Sequence, residues 1–142
     1  MSDMKQFPNS VMLTCNDVKA SVDFYTKVFG FVEYETMTED RRRLVFGVYS
    51  TEQFMFLIAD EPHMTTARLD HFGLSVGSIE EFEQLLARVE AYRELDERVE
   101  IIDRSVEDHG VLKLHNFYVR YLLPLMVEIQ HFEYLPAVAA EK

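Results

Sequence analysis

The first half of the chain arranges its hydrophobic and polar residues in short blocks. Residues 10–15 form an apolar block typical of a β-strand. Asp17 is a good N-cap for a helix whose apolar residues recur at helical spacing, and Gly30 stands where a left-handed C-terminal cap forms. Three more strand-like blocks follow, at residues 31–36, 43–49 and 53–59. The pattern predicts a β-α-β-β-β unit over residues 9–60.

The same order of elements begins again at residue 70. Residues 71–76 indicate a strand, and residues 78–81 (SIEE) form a capping box at the start of a second helix. The apolar stripe of that helix consists of Ile79, Phe82, Leu85, Leu86 and Val89. Three strand-like blocks follow, at residues 99–103, 111–120 and 125–132. A second β-α-β-β-β unit is therefore predicted over residues 70–133.

The two units match position by position. A shift of 61 residues places Ser10 on His71 and Asp17 on Ser78, so strand starts and helix caps coincide. Such a match is a specific sign of an internal repeat. We expect one domain over residues 1–142, with a linker at 61–69 and a loose tail at 134–142.

One carboxylate lies within the last apolar block. Side chains alternate across a strand, so Val127 and Ile129 face one way. Met126, Glu128 and Gln130 face the other way. A carboxylate removed from water needs a cation, a metal or hydrogen-bond donors. Glu128 therefore indicates a pocket, an ion pair or an exposed sheet face.

Composition and charge narrow the classes of protein. Hydrophobic residues make up 48% of the chain, with 11 Phe and 7 Tyr, which is typical of a folded globular protein. We find no apolar run long enough to cross a bilayer and no signal peptide, so we expect a cytoplasmic protein. The net charge of −11 argues against nucleic acid as a partner. The single cysteine, Cys15, excludes a disulfide framework and is expected to be an inert buried thiol.

Four segments together resemble the vicinal oxygen chelate superfamily. They are residues 11–31 (VMLTCNDVKASVDFYTKVFGF), 69–76 (LDHFGLSV), 116–120 (NFYVR) and 127–129 (VEI). This superfamily includes glyoxalases, fosfomycin-resistance enzymes, bleomycin-binding proteins and extradiol dioxygenases. The resemblance spans about residues 10–132 and implies an α+β fold. In that fold two curled mixed sheets, each partly closed around a cavity, hold metal ligands on their first and last strands.

The resemblance also implies a metal site. His71 matches the first-strand ligand of the second unit, and Glu128 matches the last-strand carboxylate. An imidazole and a carboxylate suit Fe, Mn, Ni or Zn as the divalent metal. The first unit departs from the pattern, because Ser10 replaces a His and Phe56 stands where glyoxalases have a second carboxylate. Those two residues are expected to line the pocket, and two ligands alone would hold a metal weakly.

Extradiol dioxygenases suggest roles for further residues. The resemblance would make His109 an acid/base catalyst that moves a proton, and Tyr118 a hydrogen-bond donor to a substrate oxygen. His115 is a reserve third ligand or pocket residue. Each candidate also has an alternative without a metal: a backbone carbonyl would satisfy His71, and His63 and His131 would be solvent-facing. In the same way, Glu128 pairs with Arg120 or Arg43.

The leading hypothesis is a small-molecule protein of the glyoxalase and extradiol dioxygenase group, a metal-dependent enzyme with an incomplete metal site. The alternative is a metal-free ligand-binding protein similar to the bleomycin-resistance group, and a third is an interaction module without a pocket. Phe and Met residues around the cavity favour a small, flat apolar or aromatic ligand. We also expect a homodimer, with the apolar residues 121–125 at its interface.

Overall fold

The computed structural model describes residues 10–33, 43–50, 53–59 and 64–136, the second of these ranges by its backbone alone. Contacts between residues divide the chain into two compact units, Met1–Thr65 and Thr66–Lys142. Within the described residues, each unit contains one helix and one four-stranded sheet.

The first unit has the element order β-α-β-β-β. Its elements are β1 (Ser10–Thr14), α1 (Val18–Phe29), β2 (Val32–Glu33), β3 (Arg43–Ser50) and β4 (Gln53–Ile58). The spatial order of the strands is β1-β4-β3-β2, in which β1 and β4 are parallel and the other neighbours are antiparallel. Asp17 caps α1 by accepting a hydrogen bond from the backbone N–H of Ala20 at 3.1 Å. Gly30 ends the helix at a φ of 76°, which glycine adopts without steric penalty.

The second unit repeats this order. Its elements are β5 (His71–Ser75), α2 (Ile79–Leu95), β6 (Glu100–Asp108), β7 (Leu112–Arg120) and β8 (Met126–Tyr134). The strands lie in the order β5-β8-β7-β6, again with one parallel pair at β5 and β8. The Ser78 hydroxyl caps α2 by accepting from the N–H of Glu81 at 3.1 Å. The predicted caps thus explain where both helices begin.

One face of the second sheet forms a core with α2. Phe117, Val119, Val127 and Ile129 are buried on the sheet, as are Phe82, Leu85, Leu86 and Val89 on the helix. The rings of Phe82 and Phe117 meet edge to face with centroids 5.2 Å apart. The opposite face of β7 and β8 is therefore the one available for polar chemistry.

The α+β class with two mixed sheets is confirmed. Both sheets are open, with β1 and β2 at the edges of one and β5 and β6 at the edges of the other. Two strands differ from the predicted extents. β6 continues to Asp108 through an irregularity between Ile102 and Ser105, and β8 continues to Tyr134, which we had placed in the tail.

The segment at residues 121–125 differs from the interface that we expected. Tyr121 and Leu123 are only 2% and 3% exposed, so their side chains belong to the core of their own unit. The Tyr121 hydroxyl donates a 2.5 Å hydrogen bond to Asp96, and Arg98 donates to the same carboxylate. This segment therefore offers little apolar surface to a second chain, and the homodimer stays a prediction. None of the described helices has the length and apolar character that crossing a lipid bilayer requires.

Candidate metal centre

Glu128 lies at the centre of the sheet face that points away from α2. In the strand register it stands between Gly73 on β5 and Tyr118 on β7. The neighbouring row toward the end of β8 contains Gln130 and Asn116, which also pair with each other in register. Because residues paired across neighbouring strands point to the same side, these side chains share one face.

Hydrogen-bond donors surround the Glu128 carboxylate. Only 8% of its side chain is exposed. The amide of Asn116 donates to Oε2 through Nδ2 at 2.8 Å, and the amide of Gln130 donates to Oε1 through Nε2 at 2.9 Å. The Ser105 hydroxyl donates to Oδ1 of Asn116 at 2.6 Å, which directs the Asn116 N–H group toward the carboxylate. These donors offset the loss of water around a buried charge.

His71 brings a nitrogen atom to the same carboxylate. Its Nε2 lies 3.4 Å from Oε1 of Glu128, and its side chain is 40% exposed. Its Nδ1 lies 2.9 Å from the carbonyl oxygen of Leu69. Since a carbonyl only accepts, Nδ1 bears a proton and the second nitrogen faces the carboxylate. Nε2 is therefore the ring nitrogen that is available to a metal ion.

Tyr118 completes this cluster. Its ring meets the His71 ring edge to face, with centroids 5.1 Å apart and an interplanar angle of 84°. Burial, the negative charge of Glu128 and a hydrogen bond to that carboxylate raise the pKa of Tyr118. The hydroxyl therefore stays protonated at neutral pH and remains a hydrogen-bond donor.

The spacing of His71 and Glu128 suits two ligands of one ion. Donor atoms that each lie about 2.1 Å from a metal are about 3.4 Å apart when the angle between them is close to tetrahedral. In the structure Nε2 and Oε1 lie 3.4 Å apart. The part of the chain that the structure describes contains no group of three or more His, Cys, Asp and Glu side chains placed to hold a metal. Residues of these types would thus supply two ligands here, His71 and Glu128.

Two other predicted site residues, His109 and His115, do not contact the pair formed by His71 and Glu128. His109 follows β6, and its backbone N–H donates to the carbonyl of Leu112. Tyr118 is six residues beyond Leu112 along β7, which corresponds to a rise of roughly 20 Å along the strand. The exposed His109 ring lies 3.3 Å from Glu107. Within the described residues His109 has no hydrogen bond or ring contact with Tyr118, and its role in moving a proton stays a prediction.

His115 lies on the wrong face of β7 to join the pair. Its ring contacts Phe82 of α2 and the ring of His131, and its Nε2 lies 3.3 Å from Glu133. It is three residues from Tyr118, and an odd separation along a regular strand reverses the direction of the side chain. His115 is thus not a third ligand with Glu128.

The remaining candidates stand as follows. Ser10 is exposed at the start of β1, and Phe56 is half-buried in β4, so both belong to the first unit and their role in a pocket stays a prediction. Arg120 donates to Glu100 at 2.6 Å, so it is not the partner that we had considered for Glu128. The side chain of Arg43 lies outside the described residues, as does His63.

Sequence reasoning missed the amide groups that hold Glu128. Asn116 and Gln130 are functional neighbours of the carboxylate, yet neither was considered as a site residue. The sequence contained only a weak sign that these two side chains lie beside Glu128. Gln130 shares the face of Glu128 because it is two residues away, whereas the position of Asn116 depends on the register between β7 and β8.

Comparisons with known proteins place the chain in a family. A family model described as the Glyoxalase/Bleomycin resistance protein/Dioxygenase superfamily matches residues 8–114. No curated protein gives a significant sequence match.

Three solved structures illustrate the structural similarity. A glyoxalase/bleomycin resistance protein/dioxygenase from Alicyclobacillus acidocaldarius has a TM-score of 0.65 at 12% identity, over 91% of this chain and 92% of that chain. Lactoylglutathione lyase from Agrobacterium tumefaciens has a TM-score of 0.64 at 18% identity, over 89% and 94%.

The third is a mutant of the fosfomycin resistance protein FosX from Listeria monocytogenes, in complex with Mn(II) and 1S,2S-dihydroxypropylphosphonic acid. Its TM-score is 0.65 at 14% identity, over 98% of this chain and 100% of that chain. At such identities these structures show a shared fold. Because the family model covers most of the sequence, this chain belongs to the glyoxalase/bleomycin resistance protein/dioxygenase superfamily, as its sequence motifs predicted.

Proposed function

We propose that this protein binds a divalent metal ion through His71 and Glu128, and through that ion a small molecule with two neighbouring oxygen atoms. The observation that supports the proposal most directly is the 3.4 Å separation between Nε2 of His71 and Oε1 of Glu128. The Leu69 carbonyl fixes the imidazole so that Nε2 faces the carboxylate. This arrangement suits a metal ligand whose second nitrogen is held by the backbone.

The chemistry of the donors defines the metals to test. One imidazole nitrogen and one carboxylate oxygen suit Mn(II), Fe(II), Ni(II) and Zn(II). The structure of FosX with Mn(II) and a vicinal diol gives Mn(II) the first place in the test. When bound, such an ion would act as a Lewis acid toward the oxygen atoms of the small molecule.

The surrounding residues would orient the bound molecule. Tyr118 keeps its proton because its pKa is raised, so its one O–H group, which donates to Glu128 in this structure, could turn to an oxygen of the bound ligand. The partly exposed His71 lies on the side that solvent reaches, while Glu128 is buried. A ligand would therefore approach past the imidazole and meet the Tyr118 hydroxyl beside it.

Metal titration of chelator-treated protein tests the proposal. We expect about one Mn(II) per chain by electron paramagnetic resonance of the free ion. His71→Ala and Glu128→Gln should each weaken binding at least tenfold, because even residues that only support metal ligands contribute 10- to 100-fold. The matched control is His109→Ala, another exposed histidine near a glutamate, which should leave binding unchanged.

The alternative function predicts a different result. A metal-free binding protein would take up none of Mn(II), Fe(II), Ni(II) or Zn(II). Its thermal stabilisation by small aromatic molecules would also persist in the presence of a chelator. That result, or metal binding unaffected by both His71→Ala and Glu128→Gln, would overturn the proposal.

A further inference from the structure

One oxygen of Glu128 is contacted by two different side chains. Nε2 of His71 and Nε2 of Gln130 both approach Oε1, at 3.4 and 2.9 Å. The other oxygen, Oε2, accepts from Asn116. The side chains of His71 and Gln130 therefore meet Glu128 at Oε1. An ion bound to His71 and Glu128 would also lie near the amide of Gln130.

The two amides near Glu128 differ in how firmly they are oriented. Ser105 holds the Asn116 amide by donating to its oxygen. Among the described residues, the Gln130 side chain has its only hydrogen bond with Glu128. Nothing else in the described part of the chain therefore determines which end of the Gln130 amide faces Oε1.

Gly73 provides the space in which the Gln130 amide lies. A Cβ atom built on Gly73 would contact the amide of Gln130. It would lie 3.1 Å from the amide oxygen of Gln130, 3.2 Å from its Cδ and 3.2 Å from its Nε2. These nearly equal distances mean that the amide lies flat against the glycine. A half-turn about the Cγ–Cδ bond would exchange the oxygen and nitrogen atoms without changing the space that the group occupies.

We propose that Gln130 is a third protein ligand of the metal, through its amide oxygen after this half-turn. The inference rests on the proposed function. After the exchange, the Gln130 oxygen would take the place of Nε2, which is 2.9 Å from Oε1 of Glu128. Two oxygen ligands that each lie about 2.1 Å from one ion at a right angle are about 3.0 Å apart. Without a cation between them, two oxygens at that distance repel, so the half-turn would follow metal binding.

This ligand set has a consequence for the small molecule. The amide of Gln130 and the imidazole of His71 are neutral, and Glu128 contributes one negative charge. A divalent ion held by these three residues keeps a net charge of +1. We therefore expect the site to favour a molecule that offers an anionic oxygen, such as a deprotonated diol or a catecholate.

Two substitutions at one position separate a ligand from a hydrogen-bond donor. Gln130→Leu removes both the oxygen and the N–H group, whereas Gln130→Glu keeps an oxygen ligand and loses the N–H donor. If Gln130 is a ligand, the dissociation constant for Mn(II) should rise at least tenfold in Gln130→Leu. In Gln130→Glu the affinity should equal or exceed that of the wild type.

If Gln130 only orients Glu128 by donating to it, both variants should bind Mn(II) equally weakly. That result would overturn the inference. Thermal unfolding of each variant without metal shows whether it is folded. For Gln130→Glu, the thermal unfolding is also compared with that of the wild type at a Mn(II) concentration that saturates the wild type.

The side-chain amide provides a second readout in the wild type. Addition of Zn(II) to protein labelled with 15N and 13C should shift the Gln130 Cδ and Nε2 resonances strongly and those of Asn116 less. Equal, small shifts at both amides would contradict the inference. If the wild type binds no metal, the proposed function and this inference both fail. If it binds metal and Gln130→Leu binds equally well, the inference alone fails.

Discussion

The hydrogen bond from Asn116 to Glu128 leads to a quantitative stability prediction. It is 2.8 Å long, and its acceptor is a buried carboxylate. Hydrogen bonds to charged groups contribute about 1.5–3 kcal/mol, so Asn116→Leu should lower the free energy of unfolding by about 2 kcal/mol at neutral pH. Ser105 loses its acceptor in this variant, but it is exposed and water replaces that contact.

Urea denaturation of the metal-free protein measures this change. The variant should unfold at a lower urea concentration with an unchanged m-value, which would indicate a loss of stability without a change in the surface exposed on unfolding. The same substitution is then made in the Glu128→Gln background, where the acceptor is neutral. There we expect a loss of about 1 kcal/mol, the usual contribution of an uncharged hydrogen bond.

The loss of unfolding free energy caused by Asn116→Leu should differ between the two backgrounds, and this difference tests the role of the charge. It isolates the part of the Asn116 contribution that depends on the charge of Glu128. Equal losses in both backgrounds, or a loss below about 0.5 kcal/mol with Glu128 intact, would refute the view that Asn116 stabilises a buried carboxylate.

Two further predictions concern the glycine under the amide and the cluster at the end of α2. Gly73→Ala would place a Cβ 3.1 Å from the Gln130 amide, so the titration should show at least tenfold weaker Mn(II) binding; unchanged affinity would contradict this. Arg98 first, and then Tyr121, hold the pKa of Asp96 well below its usual range, so this carboxylate contributes stability that is lost as the pH falls below about 4. Burial and the bond to Asp96 raise the pKa of Tyr121 to about 12, so its contribution is lost as the pH rises from 10 to 12. In Tyr121→Phe both losses should be smaller in denaturation at varied pH, and an unchanged profile would contradict the assignment.

The helices and the position of Glu128 followed from local patterns. Asp17 and Ser78 accept hydrogen bonds from the first turns of their helices, and such caps depend only on neighbouring residues. The face of Glu128 followed from the alternation of side chains along one strand. His71 was placed near it by the family resemblance, and the structure puts the two side chains 3.4 Å apart.

The rest of the site depends on how separate strands align. Ser105 reaches the face of Glu128 because an irregularity after Ile102 changes the alternation in β6, and the sequence contains no clear sign of it. The alternation of side chains along β7 separates His115 from Glu128, because its odd separation from Tyr118 places it on the other face. His109 was suggested by the resemblance to extradiol dioxygenases and by its place nine residues before Tyr118, and a separation along the chain does not fix a distance in space.

Crystallography with anomalous scattering from Mn(II) or Zn(II) would test the central claim most directly. We predict one anomalous peak on the polar face of the second sheet, about 2.1 Å from both Nε2 of His71 and Oε1 of Glu128. A peak only at another site, such as between His115 and His131, or no peak in metal-soaked crystals, would contradict the metal centre proposed for this protein.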